Sequence, residues 1–237
     1  MIKTYVAFDL ETTGLSEERD EIIEIGGVKV ENGKVTDRFI QFLKPTAPIS
    51  PMITGITGIT NEMVAYARDT QTVIEEFMNF CDGYMLLGHN VMFDYKFMKT
   101  YAQTYGFSFE KEGIDTLKIA KKVHADLESR SLGSLCDHYD IVNAAAHRAY
   151  HDALATAKIY HMMAHYYEEK YPAVFRPEAL LYKPKKVQPA TEKQKNFLKT
   201  LILCHQLEMQ ADYDHMTRSE ASKIIDGIIS KYGNLKH

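Results

Sequence analysis

Four carboxylates and a histidine, groups that can exchange protons or bind cations, stand in three short segments. Asp9 and Glu11, in Phe8-Asp-Leu-Glu-Thr-Thr-Gly14, lie two residues apart at the end of an apolar run, Tyr5 to Phe8. In a strand that spacing sends both side chains to the same side. Two adjacent carboxylates repel unless something positive sits between them; the pair is also compatible with a solvated strand end. The second segment, Gly88-His-Asn-Val-Met-Phe-Asp94, follows the apolar run Tyr84 to Leu87. It predicts a strand ending at Gly88 and a helix from about Val91, with Asn90 as N-cap. Asp94 then complements the dipole in the first turn. The third, His147-Arg-Ala-Tyr-His-Asp152, puts Asp152 on a helix that starts near Arg148 and His147 on the loop ahead of it. A histidine there is compatible with a surface role. His151 falls on a different helix face from Asp152 and is expected to be structural or exposed.

The elements that must carry these residues are legible in outline. Glu21 to Val30 and Val35 to Leu43 read as strands joined by Asn32-Gly33, a strong hairpin signal. With Tyr5–Phe8 they make three antiparallel strands. Beyond the Pro/Ser/Thr-rich stretch 45–60, apolar residues Val73, Ile74, Phe77, Met78 and Cys81 take helical spacing. Further helices are expected over 91–105, 116–123, 132–138 and 150–170. Strands first, then strands alternating with helices, indicate a mixed sheet covered by helices.

Residues 176–189 are rich in proline and lysine and read as a linker. Thr191 with Gln194, and Thr217 with Glu220, then form two capping-box starts. Residues 190–237 are therefore expected to be a separate small helical hairpin.

The whole chain has 237 residues, 28 basic and 32 acidic, for a net charge of −4. Taken alone, that charge argues against nucleic acid held by a basic surface. Its distribution is uneven: residues 183–237 carry 10 basic and 6 acidic groups, and the rest 18 and 26. Cys81, Cys136 and Cys204 have no CxxC spacing, so reduced thiols are expected rather than a disulfide framework. Asp9 interrupts the first apolar run before a signal sequence could develop, and no run approaches the roughly 18 residues of a membrane span. A cytoplasmic protein without a membrane partner is the expectation.

In their order, D-x-E, H-N-x-x-F-D and H-x-x-x-x-D resemble the DEDDh (DnaQ-like) 3′–5′ exonuclease superfamily, particularly proofreading exonucleases of the DNA polymerase III epsilon type. Thr57-Gly-Ile-Thr-Asn-Glu-Met63 resembles the family's GIT-x-E-M segment, with Thr57 where members often have histidine. Ser131-Leu-Gly-Ser-Leu135 resembles the helix ahead of the last motif. The likeness covers about residues 3–170.

That resemblance implies an α/β, ribonuclease H-like five-stranded mixed sheet flanked by helices over residues 1–175, ahead of the linker and small all-helical module that composition and capping signals indicate over 176–189 and 190–237. It implies two divalent cations, Mg²⁺ or Mn²⁺, on Asp9, Glu11, Asp94 and Asp152, with His147 as general base. It further implies that Thr12, Thr13 and Gly14 cradle the terminal nucleotide, near Asn90. Leu15 and Phe93 contact bases, or else pack in the core. The implied activity is release of nucleoside 5′-monophosphates from single-stranded or mispaired 3′ ends of DNA, in proofreading or repair, with a polymerase subunit as a candidate partner. An RNA-trimming enzyme is the alternative within the class. A non-catalytic nucleic-acid or polymerase-binding module is the alternative outside it, and its expected mark, a missing acid or histidine, is absent. A chain ending after Val174 is expected to remain a folded nuclease.

Overall fold

The computed structural model describes residues 1–185, 188–209, 213 and 216–234. Strand β1 (Tyr5–Thr12) is the central element, antiparallel to β2 (Ile22–Glu31) and parallel to β4 (Leu86–Gly88). β3 (Lys34–Phe42) pairs with β2 through the Asn32-Gly33 turn, in which both residues have positive φ, as a type I′ hairpin requires. β5 (Glu112–Asp115) lies parallel to β4, and β6 (Glu178–Ala179) closes the far edge antiparallel to β5. The order is β3-β2-β1-β4-β5-β6.

Six strands stand where five were expected, and the sixth comes from the expected linker. Leu180, next to β6, is buried, and Phe175 before it is buried in the main core. Apolar side chains that cover the sheet edge thus hold this stretch in place. The sheet thus takes in residues 178–179, beyond the boundary expected at 175.

Alternation along β1 builds two cores. Val6, Phe8 and Leu10 face α3 (Thr70–Phe80) and α4 (Val91–Thr104), while Tyr5 and Ala7 face α5 (Thr116–Val123), α6 (Leu132–His138) and α7 (Ala149–Tyr167). The proline-rich stretch holds a short helix, α1 (Pro51–Thr57), capped by Ser50 with Pro51 opening the first turn, and then α2 (Asn61–Val64). Thr57 is buried at the end of α1. Its hydroxyl donates to the Ile53 carbonyl and accepts the N–H of Ile59, a structural use of this position.

The C-terminal module consists of α8 (Glu192–Cys204) and α9 (Arg218–Tyr232), each opened by the expected capping box. Leu198, Leu201, Met216, Ala221, Ile225 and Ile228 form a core of its own. Residues 186–187 of the expected linker, and 210–212, 214–215 and 235–237 of the expected hairpin, lie outside the described residues.

Candidate active site

At Asp9 the α7-facing side of β1 changes from apolar to acidic. Tyr5 and Ala7 pack into the core, and the next two residues on that side are Asp9 and Glu11. The strand does not end at Phe8, because antiparallel pairing with β2 continues it to Thr12, with an irregularity at Glu11/Thr12. Both acids therefore sit on rigid backbone. β4 pairs only with Val6 and Ala7, which leaves the N–H of Leu10 without a strand partner. Asp94, in the first turn of α4, accepts that N–H at 3.0 Å and so reaches the same strand end from the other side.

The third segment arrives through a close approach of helix and strand. Gly26 stands opposite Asp9 across β1–β2, and a Cβ there would lie 2.0 Å from the main-chain N of Tyr150. A glycine is required for α7 to press its first turn onto β2. Glu24, opposite Glu11 and fully buried, anchors that turn: it pairs with Arg148 at 2.8 Å and accepts the N–H of Ala149 at 3.1 Å. Arg148, at the N-cap position, makes no side-chain cap of its own, so Glu24 performs that service from a distant strand.

Asp152 then enters the cleft from the first turn of α7. Its Oδ1 accepts the Asn143 amide at 2.6 Å and its Oδ2 accepts the main-chain N–H of His147 at 2.9 Å. His147 has φ 61°, a left-handed conformation uncommon for a residue with a side chain. Its ring is exposed, and one ligand atom each of Glu11, His147 and Asp152 lie within 4.8 Å of one another.

These groups line a cleft of about 290 Å³ with Asn90, Phe93, His89, Leu132 and Gly133. No lysine or arginine is among the described residues lining it. Burial holds Asp9 well above the ordinary carboxylate range, reinforced by Asp94, Glu11 and Asp152. Burial also raises Asp94, although the Leu10 N–H works against it. Glu11 is pushed up to about 8 by burial and by the charges of Asp152 and Glu24, with Arg148 opposing. Asp152 is raised by burial against the hydrogen bonds from Asn143 and His147. Among the described residues none of these four crowded carboxylates forms a salt bridge, and their hard oxygen donors fit divalent cations.

Asp9, Glu11, Asp94, Asp152, His147, Asn90 and Phe93 thus come together, from segments far apart in the chain. Asn90 stands at the expected N-cap position of α4, but with φ 68° and no side-chain capping bond; its N–H is held by Asp115 at 2.9 Å. Phe93 is both cleft wall and core, half-buried with its ring 5.1 Å from Phe97. Thr12, Thr13, Gly14 and Leu15 lie just past the cleft on the strand end and the β1–β2 loop, and Leu15 is 85% exposed rather than packed in the core. His151 does not line the cleft; its ring sits edge-on to Tyr150.

Sequence reasoning assigned no role to Glu24, Asn143 or His89, the last of which stands in the second motif. Glu24 had a signal, a lone acid inside the apolar run Ile22-Ile-Glu-Ile25. His89 contacts Thr116 Oγ1 through Nδ1 and the Arg130 carbonyl through Nε2, both at 2.9 Å, and burial lowers its pKa. The ring donates from Nε2 to the Arg130 carbonyl, while the Thr116 hydroxyl beside Nδ1 donates to the Gly88 carbonyl at 3.2 Å. It ties the loop before α6 to the end of β4.

The chain matches the exonuclease family RNase_T over residues 6–160. The DNA polymerase III PolC-type protein of Caldanaerobacter subterraneus is 41% identical over 156 residues, 66% of this chain and 11% of that protein. Its counterpart in Thermotoga maritima is 39% identical over 158 residues, 66% of this chain and 12% of that protein. The chain thus spans only about a tenth of the length of these relatives. Among solved structures, Exonuclease X in complex with 5′ overhanging duplex DNA aligns with a TM-score of 0.55 at 26% identity, covering 68% of this chain and 91% of that one. The nuclease domain of 3′hExo, a DEDDh family member bound to rAMP, shares the fold with a TM-score of 0.61 at 20% identity, covering 74% and 96%. The family match and the acids brought together in the cleft agree: the chain belongs to the exonuclease family, as a DnaQ-like 3′–5′ exonuclease.

Proposed function

We propose that the protein removes nucleotides one at a time from single-stranded or mispaired 3′ ends of DNA, in proofreading or repair, and releases nucleoside 5′-monophosphates. The convergence of Asp9, Glu11, Asp94 and Asp152 with His147 on one cleft carries this reading. The four carboxylates would hold two divalent cations, Mg²⁺ or Mn²⁺, which when bound supply charge neutralisation and Lewis acidity at the scissile phosphate. His147, exposed at the mouth and held by its main chain to Asp152, takes the proton of the attacking water. The new bond forms at phosphorus as the P–O3′ bond breaks, and the shortened strand keeps a 3′ hydroxyl. Asn90, Phe93 and the segment Thr12 to Leu15 hold the terminal nucleotide.

DNA is favoured over RNA by the relatives, which are DNA polymerases; a polymerase is the corresponding candidate partner. Residues 1–182 are the catalytic unit in this reading, and 190–237 an accessory one with its own core. The test is 3′-labelled DNA and RNA oligomers of one sequence, with Mg²⁺, against an Asp9→Ala variant. Metal-dependent release from DNA by the wild type alone is expected. Faster release from RNA replaces the substrate assignment, and release from neither overturns the enzymatic reading.

A further inference from the structure

The loop between β1 and β2 is short and internally tied. The N–H of Thr13 donates to the Glu21 carbonyl at 2.8 Å, and the Glu21 N–H returns to Thr13 Oγ1 at 2.9 Å. The Asp20 carboxylate accepts the N–H of Ser16 at 2.8 Å and packs so closely on Gly14 that a Cβ there would lie 2.5 Å away. Leu15 is thereby presented to solvent.

Three acids of this loop are held by chain that lies outside the family match, residues 6–160. Tyr182 donates its hydroxyl to Glu17 at 2.7 Å, and Lys185 pairs with Glu18 at 2.9 Å. Lys223, on α9, pairs with Glu21, whose carboxylate also accepts the N–H and hydroxyl of Thr46. These contacts are not equal. Lys185 is 77% exposed, and a pair of that kind adds little. Lys223 and Glu21 are 22% and 19% exposed, so water screens their attraction less. Lys223 also reaches Thr13 in two steps, through the side chain of Glu21 and then its main chain. The groove beside these contacts carries five acidic and five basic side chains, which makes it a seam between the two units rather than a track for phosphates.

We infer that the C-terminal module acts as a brace: Lys223, with Tyr182, fixes the β1–β2 loop in the position from which Thr12 to Leu15 meet the terminal nucleotide. This rests on the proposed 3′-end reading. Lys223 is a positioning residue in it, remote from the reacting atoms. Loosening the loop weakens the grip on the substrate and leaves the carboxylates of the rigid strand in place. The effect therefore falls on KM and spares kcat.

The 237-residue chain tests this in two ways. Arg19 is exposed in the loop, so the rate at which an arginine-specific protease cuts after it reports loop mobility without any substrate. Lys223→Met is expected to speed that cut several-fold and to raise KM for a single-stranded oligonucleotide three- to tenfold, with kcat within twofold. Lys223→Arg restores both. Tyr182→Phe, which removes a single hydroxyl, moves both readouts in the same direction. Unchanged cutting and unchanged KM in Lys223→Met and Tyr182→Phe overturn the brace. A wild type inactive on all oligomers overturns the nuclease reading instead, and the protease comparison then decides the brace alone.

Discussion

Glu24 and Arg148 form a salt bridge at 2.8 Å behind the carboxylate cleft, with the Glu24 side chain only 1% exposed. Glu24 stands opposite Glu11 on the neighbouring strand and also accepts the N–H of Ala149, so a single carboxylate fixes where α7 begins. Asp152 and His147 depend on that start. Removal of one partner from such a buried pair leaves the other uncompensated, and Arg148 is only one-third exposed. Glu24→Ala is expected to destabilise by about 2–4 kcal/mol in chemical denaturation. Glu24→Gln keeps an acceptor for Ala149 and costs less. Equal stability of wild type and Glu24→Ala contradicts the anchoring role.

The cleft carboxylates predict how stability changes with pH and metal. Asp9, Glu11, Asp94 and Asp152 are all raised in the folded protein, so the fold binds protons more tightly than the unfolded chain does. Their contribution is complete below the ordinary carboxylate range. It is lost as pH rises through the folded values, which for Glu11 is about 8. With chelator present, the melting temperature is therefore expected to fall between about pH 5 and 8. Mg²⁺ should restore it by an amount that grows with pH. In Asp9→Asn the chelated protein melts higher at pH 8 and the Mg²⁺ increment shrinks. A melting temperature independent of pH with chelator, or an Mg²⁺ increment unaltered in Asp9→Asn, rules out this account of the cleft.

His147 offers a separation of metal binding from turnover. Its ring is exposed, whereas Glu11 and Asp152 are buried and present carboxylate oxygens. His147→Ala is expected to keep most of the Mg²⁺ increment in melting temperature and to lose about 10²–10⁴ in kcat, the range for a general base. Full activity removes the base assignment. Loss of the Mg²⁺ increment makes the imidazole a ligand instead.

Much of the site could be read from the sequence, because its chemistry demands particular residue types at fixed intervals. Asp9 and Glu11 share a side through strand alternation, and Asp94 and Asp152 open helices whose starts are marked by their neighbours. The Asn32-Gly33 hairpin and the two capping boxes follow from local rules as well. What escaped is tertiary. Asn143 is one amide on a loop, and only the fold aims it at Asp152. Gly26 reads as an unremarkable strand glycine until α7 is laid on it. β6 is two residues long and has no period to detect. The Ser50-Pro51 start of α1 was a local signal hidden in a stretch whose composition suggested only loop.

Phe175 and Leu180 pack the stretch that ends in β6 against the sheet. Phe175 is 1% exposed beside Tyr160, and Leu180 is 5% exposed, with its side chain within 2.9 Å of a Cβ placed on Gly113. A chain cut after Val174 loses both side chains and strand β6, and leaves the open edge of β5 beside exposed apolar core. Loss of two such side chains costs several kcal/mol, about 3–5 for a buried phenylalanine alone. That is comparable with the whole stability of a domain, about 5–15 kcal/mol. Residues 1–174 are therefore expected to be insoluble or to unfold without cooperativity. Residues 1–182 keep both side chains, β6 and the Tyr182–Glu17 contact, and lose the pairing of Lys223 with Glu21. This longer fragment is expected to fold cooperatively in thermal melts and to cleave short oligomers with raised KM. If residues 1–174 melt as sharply as residues 1–182, the edge strand and its two apolar neighbours do not hold the sheet together.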